Sequence, residues 1–192
     1  MISKLQRGAV LIIAALFLIC GGSPAAGEPT QGVHAYVHAG AGYTFGELSK
    51  QSDFGLAAGI ALGITPVERS SDIEFVLRGT MNLFPRRRDD LHSIQTLGGG
   101  LDLKLNLGRG DHLNPYLLLG CGYARMTIKA AKTGPRASGD FTENNFFGSP
   151  GLGIEIGRKG KVRWFLETRF TDISGSYLRD YQFLALSVGI KK

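Results

Sequence analysis

The clearest pattern in the chain is a strict alternation of apolar and polar residues between Leu101 and Leu107. Leucine occupies every odd position of this segment, and aspartate, lysine and asparagine occupy the even positions. Successive side chains of a β-strand point to opposite faces, so a period of two places all the leucines on one face. The segment therefore predicts a strand with one apolar face and one polar face.

The same alternation recurs in about eight segments, which are separated by short stretches with turn residues. No segment of useful length shows a helical period. Short connections make neighbouring strands antiparallel, and eight strands in up-and-down order can close into a barrel without edges. The predicted strands are Val33–Phe45, Phe54–Ile64, Ile73–Leu83, His92–Leu107, one that follows Asn114-Pro115, one that ends in Gly151–Ile156, Arg163–Thr171 and Phe183–Ile190.

The start of the chain has a different pattern. Lys4 and Arg7 precede a short apolar run that ends at Ile19, and small residues follow it. This order is typical of a cleavable secretory signal peptide, and the run is too short for a membrane-spanning helix. The sequence therefore predicts a signal peptide at residues 1–27 and a single β-barrel domain at residues 28–192.

The composition of the polar face indicates which side of the barrel meets lipid. This face is mostly glycine and alanine with isolated charges, whereas a water-facing surface carries many charged side chains. Small residues relieve crowding inside a narrow barrel, and charges of both signs can pair across it. We therefore expect an all-β transmembrane barrel whose lumen holds a charge network. Its predicted members are Glu74, Arg78, Asp102, Lys104, Glu155, Arg163, Glu167 and Arg169.

A soluble barrel with an apolar interior and a polar surface is the alternative arrangement. Aromatic residues near segment ends favour the membrane barrel, because such barrels carry aromatic girdles at the two membrane interfaces. Strand register is not visible in the sequence, so a lumen pairing such as Arg78 with Glu167 is one of several possibilities. The aromatic residues that we assign to the girdles are Phe54, Phe84, Tyr116, Trp164 and Tyr181.

Three segments resemble strands of small outer-membrane barrels. Tyr36–Tyr43 looks like the first strand of such proteins, Asn114–Arg125 like the fifth and Phe165–Asp172 like the seventh. Over its mature length the chain is similar to the eight-stranded OmpA/OmpX/OmpW-like barrels, without a periplasmic domain. The resemblance implies a bacterial outer-membrane location, periplasmic termini, and contact with outer-membrane lipid, lipopolysaccharide and the assembly machinery. Such barrels usually end in an aromatic residue, whereas this chain ends in Val188–Lys192.

The orientation that the resemblance implies places four connections at the cell surface, two of which are basic. These connections are about Gly46–Asp53, Pro85–Leu91, Ala130–Asp140 and Ser174–Asp180. Arginine is well suited to bidentate contacts with phosphate, so the basic residues are candidates for binding lipopolysaccharide or another anionic surface. An ordinary solvated loop is the alternative. The candidate contacts are Arg86, Arg87, Arg88, Lys129, Lys132 and Arg136.

The charge and the histidines exclude several other functions. The formal net charge is +6, but the charges are spread along an exported chain, so nucleic-acid binding is not expected. His92 and Ser93 are adjacent and point to opposite faces of a strand, so they cannot pair as base and nucleophile. His34 and His38 lie about 13 Å apart along a strand, too far for one metal ion. We expect no enzymatic activity, metal or cofactor.

The sequence thus predicts a monomeric outer-membrane barrel with a polar, plugged lumen. Its expected role is structural or interactional, in envelope integrity or adhesion. A narrow channel of low conductance is the second hypothesis, because side chains nearly fill the interior of an eight-stranded barrel. A soluble barrel that binds a small ligand and a lipid-modifying enzyme are further alternatives.

Overall fold

The computed structural model describes residues 32–50, 52–66, 72–85, 91–108, 112–130, 141–158, 161–174 and 181–192. The predicted signal peptide lies outside these residues. No helix in this part of the chain is long and apolar enough to span a membrane. The elements are β1 (Val33–Phe45), α1 (Gly46–Ser49), β2 (Phe54–Ile64), β3 (Ile73–Pro85), β4 (Leu91–Asn106), β5 (Leu113–Ala130), β6 (Phe141–Ile156), β7 (Arg163–Ser174) and β8 (Tyr181–Lys191).

The strands form one closed barrel. Each strand pairs antiparallel with the next one in sequence, and β8 pairs with β1 to complete the circle. This closing ladder runs from the pair Tyr36 and Lys191 to the pair Phe45 and Gln182. Closure leaves no sheet edge with unpaired backbone groups, which hydrocarbon would not tolerate. The predicted eight-stranded antiparallel up-and-down barrel is confirmed.

Three consecutive strands are longer than the others. β2 and β8 have 11 residues each, whereas β4, β5 and β6 have 16, 18 and 16. A tilted strand needs about 9–11 residues to cross the hydrocarbon of a bilayer. The three long strands therefore project beyond the rest. We call the end of the barrel where Val33 and Lys191 lie the termini end, and the opposite end the far end. The long strands project at the far end.

The barrel is apolar outside and charged inside. Leu62, Leu77, Leu101 and Leu119 point outward and are each more than half exposed, whereas the inward-pointing Asp102 is 1% exposed. A water-soluble protein does not leave such a continuous apolar surface uncovered. The outer face is therefore a lipid-facing band, and the alternative of a soluble barrel with an apolar interior is wrong.

Glycines on the inner face make room for large side chains from neighbouring strands. A methyl group at several of these glycines would overlap a lumen side chain. This alternation of small and large residues lets a narrow barrel hold many long side chains. The glycines and the side chains that a Cβ would overlap are Gly63 with Glu74, Gly120 with Asp102, and Gly153 with Tyr116.

Aromatic residues ring the outer face near the far end. Tyr43 contacts Phe45 and Phe54 edge to face, with ring centroids 5.2 and 5.4 Å apart. Tyr123 and Phe146 make a similar contact at 5.7 Å. Such a girdle is typical of the level where the hydrocarbon meets the lipid headgroups. The girdle therefore marks the limit of the lipid-facing band toward the far end.

The aromatic residues assigned to girdles from the sequence divide into two groups. Phe54 and Trp164 point outward and are 63% and 61% exposed. For Phe84, Tyr116 and Tyr181 the assignment is wrong, because all three are buried in the lumen. Their positions in the alternation of their strands match those of the lumen residues, and this pattern outweighs their nearness to strand ends.

We predict that Gly120→Ala impairs folding. The new methyl group would overlap the Asp102 carboxylate, which two arginines hold in place. Overpacking of this kind typically costs about 1–3 kcal/mol. The measurement is the fraction of protein that refolds in detergent micelles, read from gel mobility before and after boiling.

Gly99→Ala is the matched control for this prediction. Gly99 faces outward in β4, and a Cβ there would meet only the Arg78 carbonyl oxygen, at an ordinary 3.9 Å. It should refold like the wild type. Equal refolding of both variants would show that lumen crowding does not limit the fold.

Candidate functional site: the barrel lumen

One layer of charged side chains fills the lumen near the termini end. Glu74 accepts hydrogen bonds from the Tyr36 hydroxyl at 2.5 Å, from Lys191 Nζ at 2.9 Å and from Lys104 Nζ at 3.2 Å. Glu155 contacts the same two lysines. We call this set the termini-end layer. It comprises Tyr36, Glu74, Lys104, Glu155, Arg163 and Lys191.

Strand register and aromatic rings position the termini-end layer. Glu74 and Lys104 lie directly opposite each other on β3 and β4. Lys104 Nζ lies 4.5 Å from the centroid of the Tyr116 ring, within the range of a cation–π contact. Arg163 is half-buried, and its Nη1 reaches Glu155 Oε2 at 2.9 Å. Each carboxylate is thereby compensated although water is excluded.

A second layer of charges crosses the centre of the lumen. Arg169 binds Asp102 through two parallel hydrogen bonds of 2.9 Å, and Arg78 Nε reaches the same carboxylate at 2.7 Å. Both arginines also contact Glu167, at 3.3 Å from Arg78 Nη1 and 3.2 Å from Arg169 Nε. We call Arg78, Asp102, Glu167 and Arg169 the central layer. Two arginines thus neutralise two carboxylates.

Tyrosine and histidine side chains complete the central layer. The Tyr116 hydroxyl donates to Glu167 Oε2 at 3.1 Å. His38 Nε2 lies 3.2 Å from Arg78 Nη1. A guanidinium only donates hydrogen bonds, so this nitrogen of His38 is the acceptor. Among the described residues, His38 Nδ1 is a buried atom without a hydrogen-bond partner.

The structure brings all eight sequence-predicted network residues together in these two layers. Arg78 and Glu167, one of the pairings left open by the sequence, are in contact. Sequence reasoning missed Lys191, Tyr36, Tyr116 and His38 as members. Lys191 was detectable, because it continues the inward-facing alternation of Phe183, Ala185, Ser187 and Gly189 on β8.

A cavity of about 40 Å³ lies between the central layer and the far end. We call it the polar cavity because it borders the central layer, although apolar side chains such as Phe147 and Ile173 form most of its wall. A cavity of this size has room for about three water molecules. Its wall includes hydroxyl and amide side chains and one face of the central layer. The polar lining residues beyond that layer include Asn82, Thr96, Ser149 and Thr171.

An apolar layer closes the lumen at the far end. Its members are less than 5% exposed, and the Phe84 and Phe183 rings pack edge to face with centroids 5.2 Å apart. The helical turn α1 folds into the barrel mouth, and Leu48 on this turn is fully buried. Here the interior departs from the predicted polar plug. The apolar layer comprises Leu48, Phe84, Ile94, Met126, Ile173, Tyr181 and Phe183.

Hydrogen bonds around Ser52 hold this turn in place. The Ser52 backbone N–H donates to the Leu48 carbonyl at 2.9 Å, and its hydroxyl donates to the Pro85 carbonyl at 2.6 Å. The Thr44 hydroxyl bonds the Ser52 carbonyl. The first far-end connection is therefore fastened to the neighbouring strands, with Leu48 directed into the lumen.

Most of the candidate anion contacts lie outside the described residues. These are Arg86, Arg87, Arg88, Lys132 and Arg136. Lys129 is described, on the outward face of β5 beyond the aromatic girdle. Arg125 lies on the same face four residues earlier, is exposed, and was not among the sequence predictions. The alternation of β5 could have indicated it, because Tyr123, Arg125 and Lys129 share one face.

The described histidines lie in three separate places. His38 contacts an arginine in the central layer, His34 is half-buried at the termini end, and His112 is exposed. The side chain of His92 lies outside the described part of the structure. Among the described residues, no group of three or more His, Cys, Asp and Glu side chains could hold a metal ion.

Comparison with known proteins identifies the family. A family model described as outer membrane protein beta-barrel domain matches residues 12–191. The chain belongs to this family. Membership, together with the apolar outer face, gives the location as the bacterial outer membrane. Comparison with curated protein sequences gives no significant match.

Solved structures with the same fold include proteins of different activities. Neisserial surface protein A is similar with a TM-score of 0.67 and 14% identity, over 84% of this chain and 96% of that one. The outer-membrane enzyme PagL is similar with a TM-score of 0.53 and 15% identity, over 81% of this chain and 97% of that one. Ail, the attachment invasion locus protein of Yersinia pestis, is similar with a TM-score of 0.50 and 9% identity, over 85% of this chain and 100% of that one. At these identities the likeness shows the fold alone.

We predict that Asp102→Asn destabilises the barrel. The substitution keeps the shape of the side chain but removes the charge that compensates Arg78 and Arg169. Breaking a buried ion pair by removing one partner typically costs about 3–5 kcal/mol. The temperature at which the protein loses its folded gel mobility should therefore fall by many degrees.

Asp172→Asn is the matched control, because it makes the same chemical change on the outward face of β7, where Asp172 is half-exposed. It should leave the transition temperature within a few degrees of the wild type. An unchanged transition for Asp102→Asn would mean that the central layer does not stabilise the fold.

Proposed function

We propose that the protein is a closed, non-enzymatic barrel whose role is structural and interactional. The observation that carries the proposal is the double closure of the lumen. The two ion-pair layers obstruct the centre and the termini end, and the apolar layer obstructs the far end. A barrel obstructed in this way contributes a rigid wall in the membrane and displays its far end to the surroundings.

The projecting part of β4, β5 and β6 supports a role at the cell surface. With periplasmic termini, as in the barrels that the chain resembles, this part would extend beyond the outer leaflet. Its outward face changes from apolar to polar on the far-end side of Tyr123 and Phe146. The polar residues that come next are Arg125, Thr127 and Asn144. This surface lies at the level of lipid headgroups, so it suits contacts with polar groups of the outer leaflet.

We propose lipopolysaccharide phosphates as the partner of this basic surface. Arg125 and Lys129 share the outward face of β5, and Arg86, Arg87, Arg88, Lys132 and Arg136 belong to the adjoining connections. Guanidinium and ammonium groups at headgroup level bind phosphate through charge-assisted hydrogen bonds. The assembly machinery of the outer membrane is the other expected partner, and we propose that the barrel functions as a monomer.

A narrow channel is the second candidate function. The polar cavity favours it, because a space with room for water already lies in the path along the barrel axis. Conduction would require the termini-end layer, the central layer and the apolar layer all to move aside. Separate weakening of the three layers therefore distinguishes the channel from the closed barrel.

We predict that the wild-type protein is silent in planar-bilayer recordings. Lys104→Ala weakens the termini-end layer, Arg169→Ala weakens the central layer, and Phe183→Ala weakens the apolar layer. Each single variant should also stay silent, since the other closures are intact. The triple variant should produce current steps, which also demonstrates that the inserted protein can be detected.

Current from the wild type would contradict the closed barrel. Steps from Arg169→Ala alone, or a conductance that changes with Glu167→Gln, would instead identify the central layer as the gate of a channel. Each sample should first show a heat-dependent gel shift, so that silence is not caused by misfolding.

We predict that reversing the charge of Arg125 and Lys129 to glutamate weakens binding to lipopolysaccharide. A hydrogen bond to a charged group contributes about 1.5–3 kcal/mol. The loss should therefore be at least about tenfold in dissociation constant. Reversal of Arg86, Arg87 and Arg88 is a second arm of the experiment. Binding is measured with the folded protein in detergent micelles.

The matched control reverses Arg158 and Lys161, which are exposed at the termini end. It changes the net charge of the protein by the same amount as the Arg125 and Lys129 variant, but away from the proposed surface. Equal weakening by the control and that variant would indicate general electrostatic attraction. Unchanged binding in both far-end variants would exclude the phosphate contact.

A further inference from the structure

A proline in the middle of β6 departs from the usual placement of proline in sheets. Proline has no N–H to donate to a ladder, so it is found at sheet edges, strand ends and bulges. Pro85 and Pro115 follow this rule, near the end of β3 and the start of β5. Pro150 lies inside the 16-residue β6, in a closed barrel that has no edge.

Pro150 interrupts the ladder on one side only. Pairing of β6 with β5 is continuous through Leu119 and Pro150. Between β6 and β7, Gly148 pairs with Asp172 and Gly151 with Arg169, and the positions between them have no ladder partner among the described residues of β7. The missing N–H therefore faces β7. We call this two-residue interruption, at Ser149 and Pro150, the β6–β7 seam.

The polar cavity lies directly behind the seam. Ser149 on β6 and Thr171 on β7 both line the cavity, and their hydroxyl oxygens lie 3.3 Å apart across the interruption. On the outer side, Gly148 has no side chain, and a Cβ there would meet nothing within 4 Å. At the seam, therefore, an incompletely bonded backbone, two inward hydroxyl groups and the outward side chains of Pro150 and Phe170 separate the cavity from lipid.

The surroundings of the seam define what could cross it. Hydrocarbon on the outer side excludes charged molecules. On the inner side the central layer is internally neutralised, and Arg169 Nη1 also donates to the Ser149 hydroxyl at 3.3 Å. The cavity therefore offers a neutral molecule a largely apolar wall with a few hydroxyl and amide groups, and its volume of about 40 Å³ limits the size of that molecule.

We propose that the β6–β7 seam is a side entrance through which small uncharged molecules dissolved in the bilayer reach the polar cavity. A lateral route of this kind is compatible with a lumen that is closed along its axis, because both axial closures stay in place. In hydrocarbon an unmade backbone hydrogen bond is costly, so polar molecules that enter the cavity would also stabilise the interrupted ladder.

Cysteine labelling at the seam tests this proposal. The full chain carries Thr171→Cys in a background in which Cys20 and Cys121 are replaced by alanine, and it is reconstituted in phosphatidylcholine vesicles. Methyl methanethiosulfonate serves as the small, uncharged, membrane-soluble reagent, and a sulfonated methanethiosulfonate serves as the charged reagent. Each rate is normalised to the rate of the same reagent with glutathione. A heat-dependent gel shift verifies folding, and Ser149→Cys replaces Thr171→Cys if that variant does not fold.

Two further substitutions separate the seam from other routes. Pro150→Ala restores an N–H that can donate to β7, whereas Pro115→Ala is the matched control near the start of a strand. We expect the uncharged reagent to react at least tenfold faster than the charged one. Pro150→Ala should slow the uncharged reagent at least tenfold, and Pro115→Ala should have no effect. Equal rates for both reagents, no slowing by Pro150→Ala, or equal slowing by Pro115→Ala would each overturn the proposal.

Discussion

The structure depends on one electrostatic constraint: charges in a lumen this narrow must compensate one another, because there is little room for water. Each of the four carboxylates in the two ion-pair layers receives hydrogen bonds from at least two donor side chains. These contacts join strands from all sides of the barrel, as when Arg169 on β7 holds Asp102 on β4. Pairing of this kind fixes the relative positions of strands that are not neighbours in the sheet, which backbone ladders alone cannot do.

The small residues of the inner face follow from the same constraint. Long charged side chains fit inside eight strands only where an adjacent position lacks a side chain, as at Gly63 beside Glu74. At the far end the problem is solved differently. There Leu48, Phe84 and Phe183 fill the mouth with apolar groups, which need no partners. The lumen is therefore closed by charge pairing at one end and by apolar packing at the other. The polar cavity lies between the central layer and the apolar layer.

The alternation of residues was sufficient to predict the barrel and the inward position of all eight network residues, because a period of two depends only on the local chain. The pairings were not predictable, since the contact of Arg78 with Glu167 depends on the stagger of strands distant in sequence. Two kinds of error arose where the pattern was set aside. Phe84, Tyr116 and Tyr181 were assigned by their nearness to strand ends, and β8 was ended before Lys191. The first half of β6 was missed because Thr142 and Asn144 face outward beyond the lipid-facing band, where no apolar residue is required.

The position of Lys191 has a consequence for the order of assembly. Lys191 lies on β8, whose pairing with β1 closes the barrel, and its ammonium group contacts Glu74 on β3 and Glu155 on β6. Until β8 arrives, these two carboxylates have one cation fewer than in the finished protein. An open sheet that entered the bilayer early would therefore carry Glu74 and Glu155 into hydrocarbon with fewer donors than the closed barrel gives them, at an energetic cost. Electrostatics thus couples membrane insertion to barrel closure, because docking of β8 completes the hydrogen bonds of the buried carboxylates.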